Sequence, residues 1–284
     1  MKVGLILGGG GEVGIAWEIG VLAALEMEAG FVAGASTVIA GTSAGAIVGA
    51  YAAQGRAMPE LARLESLGQG PAASGQQPSN PTIPDDIIGA LVSTEGTLEE
   101  RGARLGKLAL GAPTSLDQST FVDGFQQVLG TDDWPDADFR PTTVSAETGK
   151  TTLWDRHSGI GLAAAVASSC AVPGVFPPVE FEGDHFIDVP RRPFSAELVK
   201  ARSLDAIVFV GLILPILANN NDQKDELEAQ AAGARLATAT ITGGPGVEAI
   251  GTDLLDHSAR VPAVQVGLED GRDAAGAVMA IMRT

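Results

Sequence analysis

The first 55 residues contain one short pattern twice. An apolar run (KVGLIL), a glycine-rich turn (GGGGEVG) and an apolar helical segment ended by Gly30 occupy residues 2–30. Residues 36–55 repeat this order as STVIA, GTSAG and AIVGAYAAQG. Two successive strand–turn–helix units predict parallel strands joined by right-handed crossovers. Both turns are then expected at the carboxyl edge of one sheet, beside each other.

The remaining sequence predicts one large α/β domain over residues 1–284. Hydrophobic residues make up 45% and aromatic residues 5% of the chain, so the core is built mainly from Ala, Val, Leu and Ile, as in buried parallel strands covered by helices. Residues 56–130 predict a variable loop and helical region that covers a site on the sheet. Within it, residues 66–84 are rich in Gly, Pro, Ser and Gln and predict a loop.

Further strands and helices are predicted downstream. Residues 142–159 and 177–188 predict strand pairs that turn at Gly149 and Gly183, and a helix over residues 160–171 lies between them. The apolar stretch AIVFVGLIL predicts a buried strand, followed by an Ala-rich helical stretch and a C-terminal helix.

Charge and cysteine content exclude several classes of partner. The formal charge of −17 disfavours binding to nucleic acid, and it limits contact with an anionic membrane surface to a transient one. Cys170 is the sole cysteine, so neither an internal disulfide nor a cysteine-based metal cage can form. The first apolar run is interrupted by glycines too early for a signal peptide, and no apolar stretch is long enough to span a bilayer. These features predict a cytoplasmic protein.

Ser43 is the strongest candidate for a nucleophile. It occupies the centre of GTSAG, between a predicted strand and a predicted helix, which is the order of a nucleophile elbow. Gly41 and Gly45 remove the side chains that would clash in so sharp a turn. The alternative is that Ser43 only caps the helix that follows.

The glycine run admits three uses. Its N–H groups at a helix start could form an oxyanion hole. Alternatively, Gly9, Gly11 and Gly14 match the G-x-G-x-x-G pattern of a dinucleotide site, although STVIA lacks the acidic residue that would bind the ribose. The third use is a plain tight turn. For a Ser–Asp–His order only His257 follows late enough, and its polar surroundings predict a surface position.

Taken together, four blocks of the sequence resemble the patatin-like phospholipases. GGGGEVG resembles the glycine-rich oxyanion block of this family, GTSAG its nucleophile elbow, AETGKTTLWDRHSG and SSCAVPGVFPPV the segments that lead to its aspartate, and HFID the aspartate itself. The resemblance implies a three-layer α/β/α sandwich with a mainly parallel central sheet, and hydrolysis of acyl esters of lipids without metal or cofactor. It also implies that Ser43 attacks the carbonyl, that Asp188 accepts the proton, and that the backbone of Gly9, Gly10 and Gly11 binds the oxyanion.

Two positions depart from the family pattern. Val13 stands where the family usually has Arg or Lys, and Asp188 is followed by Val189 and Pro190 instead of glycine and a small residue. An alternative function is therefore a catalytically weak or inactive protein that binds an acyl lipid or a protein partner. The sequence leaves the individual acyl ester and the oligomeric state open.

Overall fold

A computed structural model describes most of the chain. The described residues are 1–71, 83–189, 195–212, 237–243, 245–251 and 253–283. Part of the loop predicted at 66–84 and most of the Ala-rich helical stretch lie outside these ranges.

Eight strands of the described residues form a single sheet. They are β1 Val3–Leu7, β2 Val38–Gly41, β3 Phe139–Ser145, β4 Thr151–Leu153, β5 Val179–Phe181, β6 Asp184–Ile187, β7 Ala206–Val210 and β8 Ala237–Ile241. The order across the sheet is β5-β6-β3-β2-β1-β7-β8, and β4 pairs with β3. The five strands from β3 to β8 in this order are parallel, whereas β4, β5 and β6 are antiparallel additions at one side.

Helices cover both faces of this sheet. They are α1 Gly11–Ala29, α2 Ala44–Ala53, α3 Met58–Ser66, α4 Asp85–Val92, α5 Leu98–Gly111, α6 Gln118–Leu129, α7 Leu162–Ser169, α8 Ser195–Arg202, α9 Pro245–Ile250 and α10 Arg260–Met282, with 3₁₀ turns at Ala33–Ala35 and His257–Ala259. The predicted three-layer α/β/α sandwich with a mainly parallel central sheet is confirmed.

Alternation along the strands divides the core between the two faces. Leu5 and Leu7 of β1 pack into the larger cluster, with residues of α1, α2, α7 and α10. Ile6 lies on the opposite face, in a smaller cluster with Leu198 of α8. A third cluster places α4 and α5 against β3 and β6, through Leu105, Val144 and Ile187 among others. The strand that precedes Asp188 is therefore held by helices from the predicted variable region.

A buried ion network connects the first turn of α1 with α3 and α10. The Arg260 guanidinium is 3% exposed and donates to the carboxylates of Glu12 and Glu65, and its Nε lies 3.0 Å from Glu65 Oε2. A third acceptor is the carbonyl oxygen of Pro71, at 3.0 Å. Because Glu12 follows the glycine run directly, this network fixes the chain beside that run.

We expect Arg260→Met to destabilise the protein strongly. The change leaves two buried carboxylates without their cation, and breaking a buried pair in this way costs on the order of 3–5 kcal/mol. Urea unfolding measures the loss. Arg63→Met is the matched control, because Arg63 pairs with Glu60 on the exposed surface of α3 and its loss should leave the free energy of unfolding close to that of the wild type. Equal midpoints for the two variants would contradict the stabilising role of the network.

Candidate active site

Ser43 lies at the apex of a sharp turn between β2 and α2. Its backbone has φ 54° and ψ −117°, a conformation that residues with a side chain rarely adopt. A Cβ atom at Gly41 would lie 2.1 Å from the carbonyl oxygen of Gly45, and one at Gly45 would lie 2.5 Å from that of Leu7. Glycine is therefore required on both sides of Ser43 so that the turn can close against β1.

The Ser43 side chain does not serve the following helix. It makes no capping hydrogen bond to α2, so the alternative in which Ser43 only caps this helix is wrong. The backbone N–H of Ser43 instead donates to Ser169 Oγ at 2.9 Å. Its hydroxyl is left to face Asp188.

Asp188 follows β6 directly and is 5% exposed. Its N–H donates to the carbonyl oxygen of Ala171 at 2.9 Å, and its carboxylate lies within interaction range of the Ser43 hydroxyl. Within the described residues Oδ1 is buried without any hydrogen-bond partner. The structure thus brings together the two side chains that the sequence resemblance singled out.

Burial changes the acidity of Asp188. Loss of hydration raises its pKa from 3.8 to about 7, and the nearby Ser43 hydroxyl opposes part of this shift. The carboxyl group therefore titrates near neutral pH, where a general base is most effective.

Val189 does not turn Asp188 away from the serine. It has no positive φ, is 8% exposed and packs in the cluster that contains Ile187 and Leu105. Pro190 lies outside the described residues. The departure from the family pattern at Val189 is thus compatible with the contact between Asp188 and Ser43.

The glycine run passes directly over the serine. A Cβ atom at Gly9 would lie 3.7 Å from Ser43 Cβ, and the Gly8 carbonyl accepts the N–H of Gly45 at 2.8 Å. Gly11 has φ 59°, and a Cβ atom there would lie 2.5 Å from the carbonyl oxygen of Leu254. In the part of the chain that the structure describes, the N–H groups of Gly9, Gly10 and Gly11 have no acceptor. Gly9 lies beside Ser43, so its N–H and those of the next two glycines are candidate donors to an oxyanion.

A model of one protein family spans all of these features. The patatin-like phospholipase model matches residues 5–188, from the first strand to the candidate aspartate. The chain belongs to the patatin-like phospholipase family. Membership implies lipid acyl hydrolase activity in general terms, and it agrees with the resemblance seen in the four sequence blocks.

Solved structures similar to this patatin-like chain include two bacterial proteins. VipD from Legionella pneumophila is 15% identical with a TM-score of 0.45, over 97% of this chain and 67% of that chain. The type III effector protein ExoU is 16% identical with a TM-score of 0.39, over 96% of this chain and 53% of that chain. This chain thus spans about half the length of the second. No curated protein sequence matches it.

His257 of this patatin-like chain makes no described contact with Ser43 or Asp188. Its side chain is 64% exposed, and its Nδ1 lies 3.3 Å from Glu12 Oε2. His185, which lies in the β5–β6 hairpin before Asp188, contacts Glu147. Neither histidine contacts Ser43 in the described structure, so a Ser–Asp–His arrangement is not formed.

Sequence reasoning missed the contacts that the side chains of Ser169 and Cys170 make with the Ser43 backbone. Ser169 accepts the N–H of Ser43, and Cys170 Sγ lies 3.4 Å from the Ser43 carbonyl oxygen as a donor. Burial, followed by the nearby charges of Asp188 and Glu12, raises the pKa of the Cys170 thiol well above its usual range. Cys170 is therefore a buried neutral thiol and not a rival nucleophile, as the sequence predicts. The only signal for this pair was its place in the SSCAVPG block.

The length and the apolar character of its helices decide whether a helical chain can cross a membrane. No helix in the described ranges combines the length and the apolar character that crossing a bilayer requires.

We expect Gly9→Ala to lower activity without unfolding the protein. The added methyl group meets only Ser43 Cβ, at 3.7 Å, and Gly9 does not require a positive φ. The methyl group occupies space beside the reacting oxygen, where a displacement of about 1 Å can cost on the order of 100-fold in rate. Ester hydrolysis and a thermal melt on the same sample measure both effects. Wild-type turnover in this variant would show that the acyl group binds elsewhere.

Proposed function

We propose that this chain is a serine acyl hydrolase that cleaves ester bonds of lipids through a Ser43–Asp188 dyad. The observation that carries this proposal is the proximity of the Ser43 hydroxyl, at a strained elbow, to the buried carboxylate of Asp188. The family match supports lipid acyl esters as the substrate class.

Asp188 acts as the base in the first step. The Ser43 hydroxyl transfers its proton to the carboxylate while Oγ bonds to the carbonyl carbon of the ester. The tetrahedral intermediate then expels the alcohol, which takes the proton from Asp188. In the second step Asp188 removes a proton from water, the water attacks the acyl-serine, and the fatty acid leaves as Ser43 regains its proton.

The glycine run supplies the oxyanion hole in this proposal. Gly9, Gly10 and Gly11 have N–H groups without acceptors among the described residues, and Gly9 lies next to Ser43. Ala44 begins α2, so its N–H has no acceptor within the helix and is a fourth candidate donor. Donors aimed at the developing negative charge are each worth on the order of 10²–10³ in rate. In this proposal the glycine-rich turn binds the oxyanion in addition to reversing the chain. We do not propose a dinucleotide site there.

The charge of the chain constrains its encounter with lipid. At −17 it repels anionic surfaces, so we propose at most transient contact with a membrane surface and no nucleic-acid partner. A cytoplasmic location is proposed on the same composition.

A fluorophosphonate probe tests the chemistry directly. We expect the wild type to gain the mass of one adduct, to carry it on Ser43, and to hydrolyse p-nitrophenyl esters of fatty acids. The same esters with chains of different length then rank the acyl groups that the site accepts. If folded wild type gains no adduct and hydrolyses none of these esters, the dyad proposal is wrong and a protein that binds an acyl lipid or a protein partner without turnover is favoured.

A further inference from the structure

The C-terminal end of α7 contacts both members of the candidate dyad. The side chains of Ser169 and Cys170 bond to the N–H and the C=O of Ser43, at 2.9 and 3.4 Å. The carbonyl oxygen of Ala171 accepts the N–H of Asp188 at 2.9 Å. Three consecutive residues of one rigid segment therefore hold the backbones of Ser43 and Asp188.

The strained backbone of Ser43 needs such support. A residue in a sparsely populated φ/ψ region costs on the order of 1–3 kcal/mol and persists only where its surroundings impose that conformation. The Ser43 carbonyl also accepts the N–H of Ala46 at 2.9 Å, as expected at a helix start. Its N–H, by contrast, points out of both β2 and α2, and the acceptor that the structure gives it is Ser169 Oγ. The hydrogen bond to Ser169 is therefore the main contact that holds the Ser43 backbone, and the Cys170 contact is secondary.

The segment is itself fixed to the strand next to Asp188. Thr143 Oγ1 of β3 lies 3.0 Å from the carbonyl oxygen of Ser168 and 2.9 Å from that of Ile187, and shares its proton between them. Ser168 and Ser169 are both fully buried. Water therefore cannot replace a hydrogen-bond partner that is lost through a substitution at the end of α7.

We propose that Ser169, assisted by Cys170, is a positioning residue that holds the Ser43 backbone in the elbow conformation and so sets the hydroxyl against Asp188. The expected effect on rate rests on the proposed function, whereas the holding of the backbone does not. Neither residue touches the reacting carbonyl group, so neither is a catalytic residue.

Ser168 offers a matched control within the same helix. It is as buried as Ser169, and its Oγ donates to the carbonyl oxygen of Ala165 at 2.8 Å and accepts the Trp154 indole N–H at 3.0 Å. Ser168→Ala thus removes a buried hydroxyl of α7 without changing a side-chain contact to Ser43. Ser169→Ala removes the acceptor of the Ser43 N–H.

The experiment compares wild type, Ser168→Ala and Ser169→Ala by two measurements. Hydrogen exchange of the Ser43 amide, followed by NMR, reports on the holding of the backbone. The fluorophosphonate labelling rate reports on its consequence. For Ser169→Ala we expect amide exchange at least about tenfold faster, and labelling slower by a factor of about 10 to 100, since displacements of this kind reach 100-fold. Ser168→Ala leaves the buried Trp154 indole N–H without its acceptor and lowers overall stability, so exchange is normalised to the free energy of unfolding of each variant, measured in urea. After this correction we expect both quantities for Ser168→Ala within about twofold of the wild type, because no contact to Ser43 is lost.

The outcomes separate positioning from general packing. The pH midpoint of labelling should remain that of the wild type in Ser169→Ala, because the change acts on the Ser43 backbone and not on the acidity of Asp188. Unchanged exchange of the Ser43 amide in Ser169→Ala, or equal slowing of labelling in Ser168→Ala, overturns the proposal. If Ser169→Ala does not fold, Ser169→Cys replaces it with a weaker acceptor of similar size, and we expect the same direction in both measurements.

The same design distinguishes failure of the positioning proposal from failure of the proposed function. A wild type that takes up no probe but shows a slowly exchanging Ser43 amide, lost only in the Ser169 variants, would support positioning and contradict acyl-hydrolase activity. If the probe labels the wild type but the Ser169 variants exchange and label at wild-type rates, the result would support acyl-hydrolase activity and contradict positioning.

Discussion

Ser43→Ala is expected to abolish labelling by the fluorophosphonate and to lower ester hydrolysis by about 10⁴-fold or more, as loss of the nucleophile does in other serine hydrolases. The reason is that Ser43 is the described hydroxyl that interacts with Asp188 and also lies beside Gly9 of the glycine run. Intact-protein mass spectrometry after incubation with the probe, together with initial rates on a p-nitrophenyl ester, measures both effects.

The fold of this variant should be unaffected. Alanine at φ 54° has the same backbone strain as serine, so the substitution neither lowers nor raises the strain of the elbow. Ser168→Ala controls for removal of a buried hydroxyl near the site. An adduct on Ser43→Ala at the wild-type rate would mean that another residue is the nucleophile.

Asp188→Asn is expected to lower turnover by about 10³–10⁴-fold, because the amide cannot accept the serine proton. In the wild type the base is active only when deprotonated, so activity should rise with pH through about 7, the pKa to which burial raises this carboxyl. The residual activity of the variant should lack this rise. Rates of labelling between pH 5 and 9 make the comparison, and a similar rise in the variant would assign the titration to another group.

The same variant is expected to be more stable than the wild type at alkaline pH. The folded protein retains a proton on Asp188 between about pH 4 and 7, where the unfolded chain has lost it, so the stability contributed by this group falls as pH rises through that window. Above pH 7 the wild type holds a buried charge that asparagine lacks, which at 1.4 kcal/mol per pKa unit amounts to up to about 4 kcal/mol.

Urea unfolding at pH 8 and pH 4 measures this difference. The advantage of Asp188→Asn should be present at pH 8 and should be nearly absent near pH 4, where Asp188 is protonated in the folded chain and about half protonated in the unfolded chain. An equal loss of stability at both pH values would instead indicate that the amide disturbs the packing.

Local sequence patterns were sufficient to predict the framework of the site. Both strand–turn–helix units, the hairpin at Gly183 and the helix before it are present. Their signals are apolar periodicity and glycine, which act over a few residues. The helices α1 and α2 begin earlier than the apolar periodicity indicates, at Gly11 and Ala44, because the turns lead into them without an intervening loop. The pairing of Ser43 with Asp188 came from the family resemblance alone.

Features that depend on distant contacts were not predictable from local patterns. Ser169 meets Ser43 across 126 residues of sequence, and Arg260 meets Glu12 across 248. The raised pKa of Asp188 depends on the packing of two strands and a helix around it. The residues next to Asp188 in the sequence do not indicate this packing. Hydrogen bonds and burial of this kind are decided by the tertiary structure.

The ion network between Arg260 and Glu12 has a consequence for the order in which the protein is made. The glycine run is synthesised well before the groups that fasten its helix, the Leu254 carbonyl and the Arg260 guanidinium, since Arg260 follows Glu12 by 248 residues. A nascent chain can form β1, β2 and the elbow long before that turn of α1 is secured. We therefore expect chains that stop before residue 260 to contain Ser43 and Asp188 while the glycine run beside them is not yet fixed, so that the candidate site is completed only after Arg260 has been added.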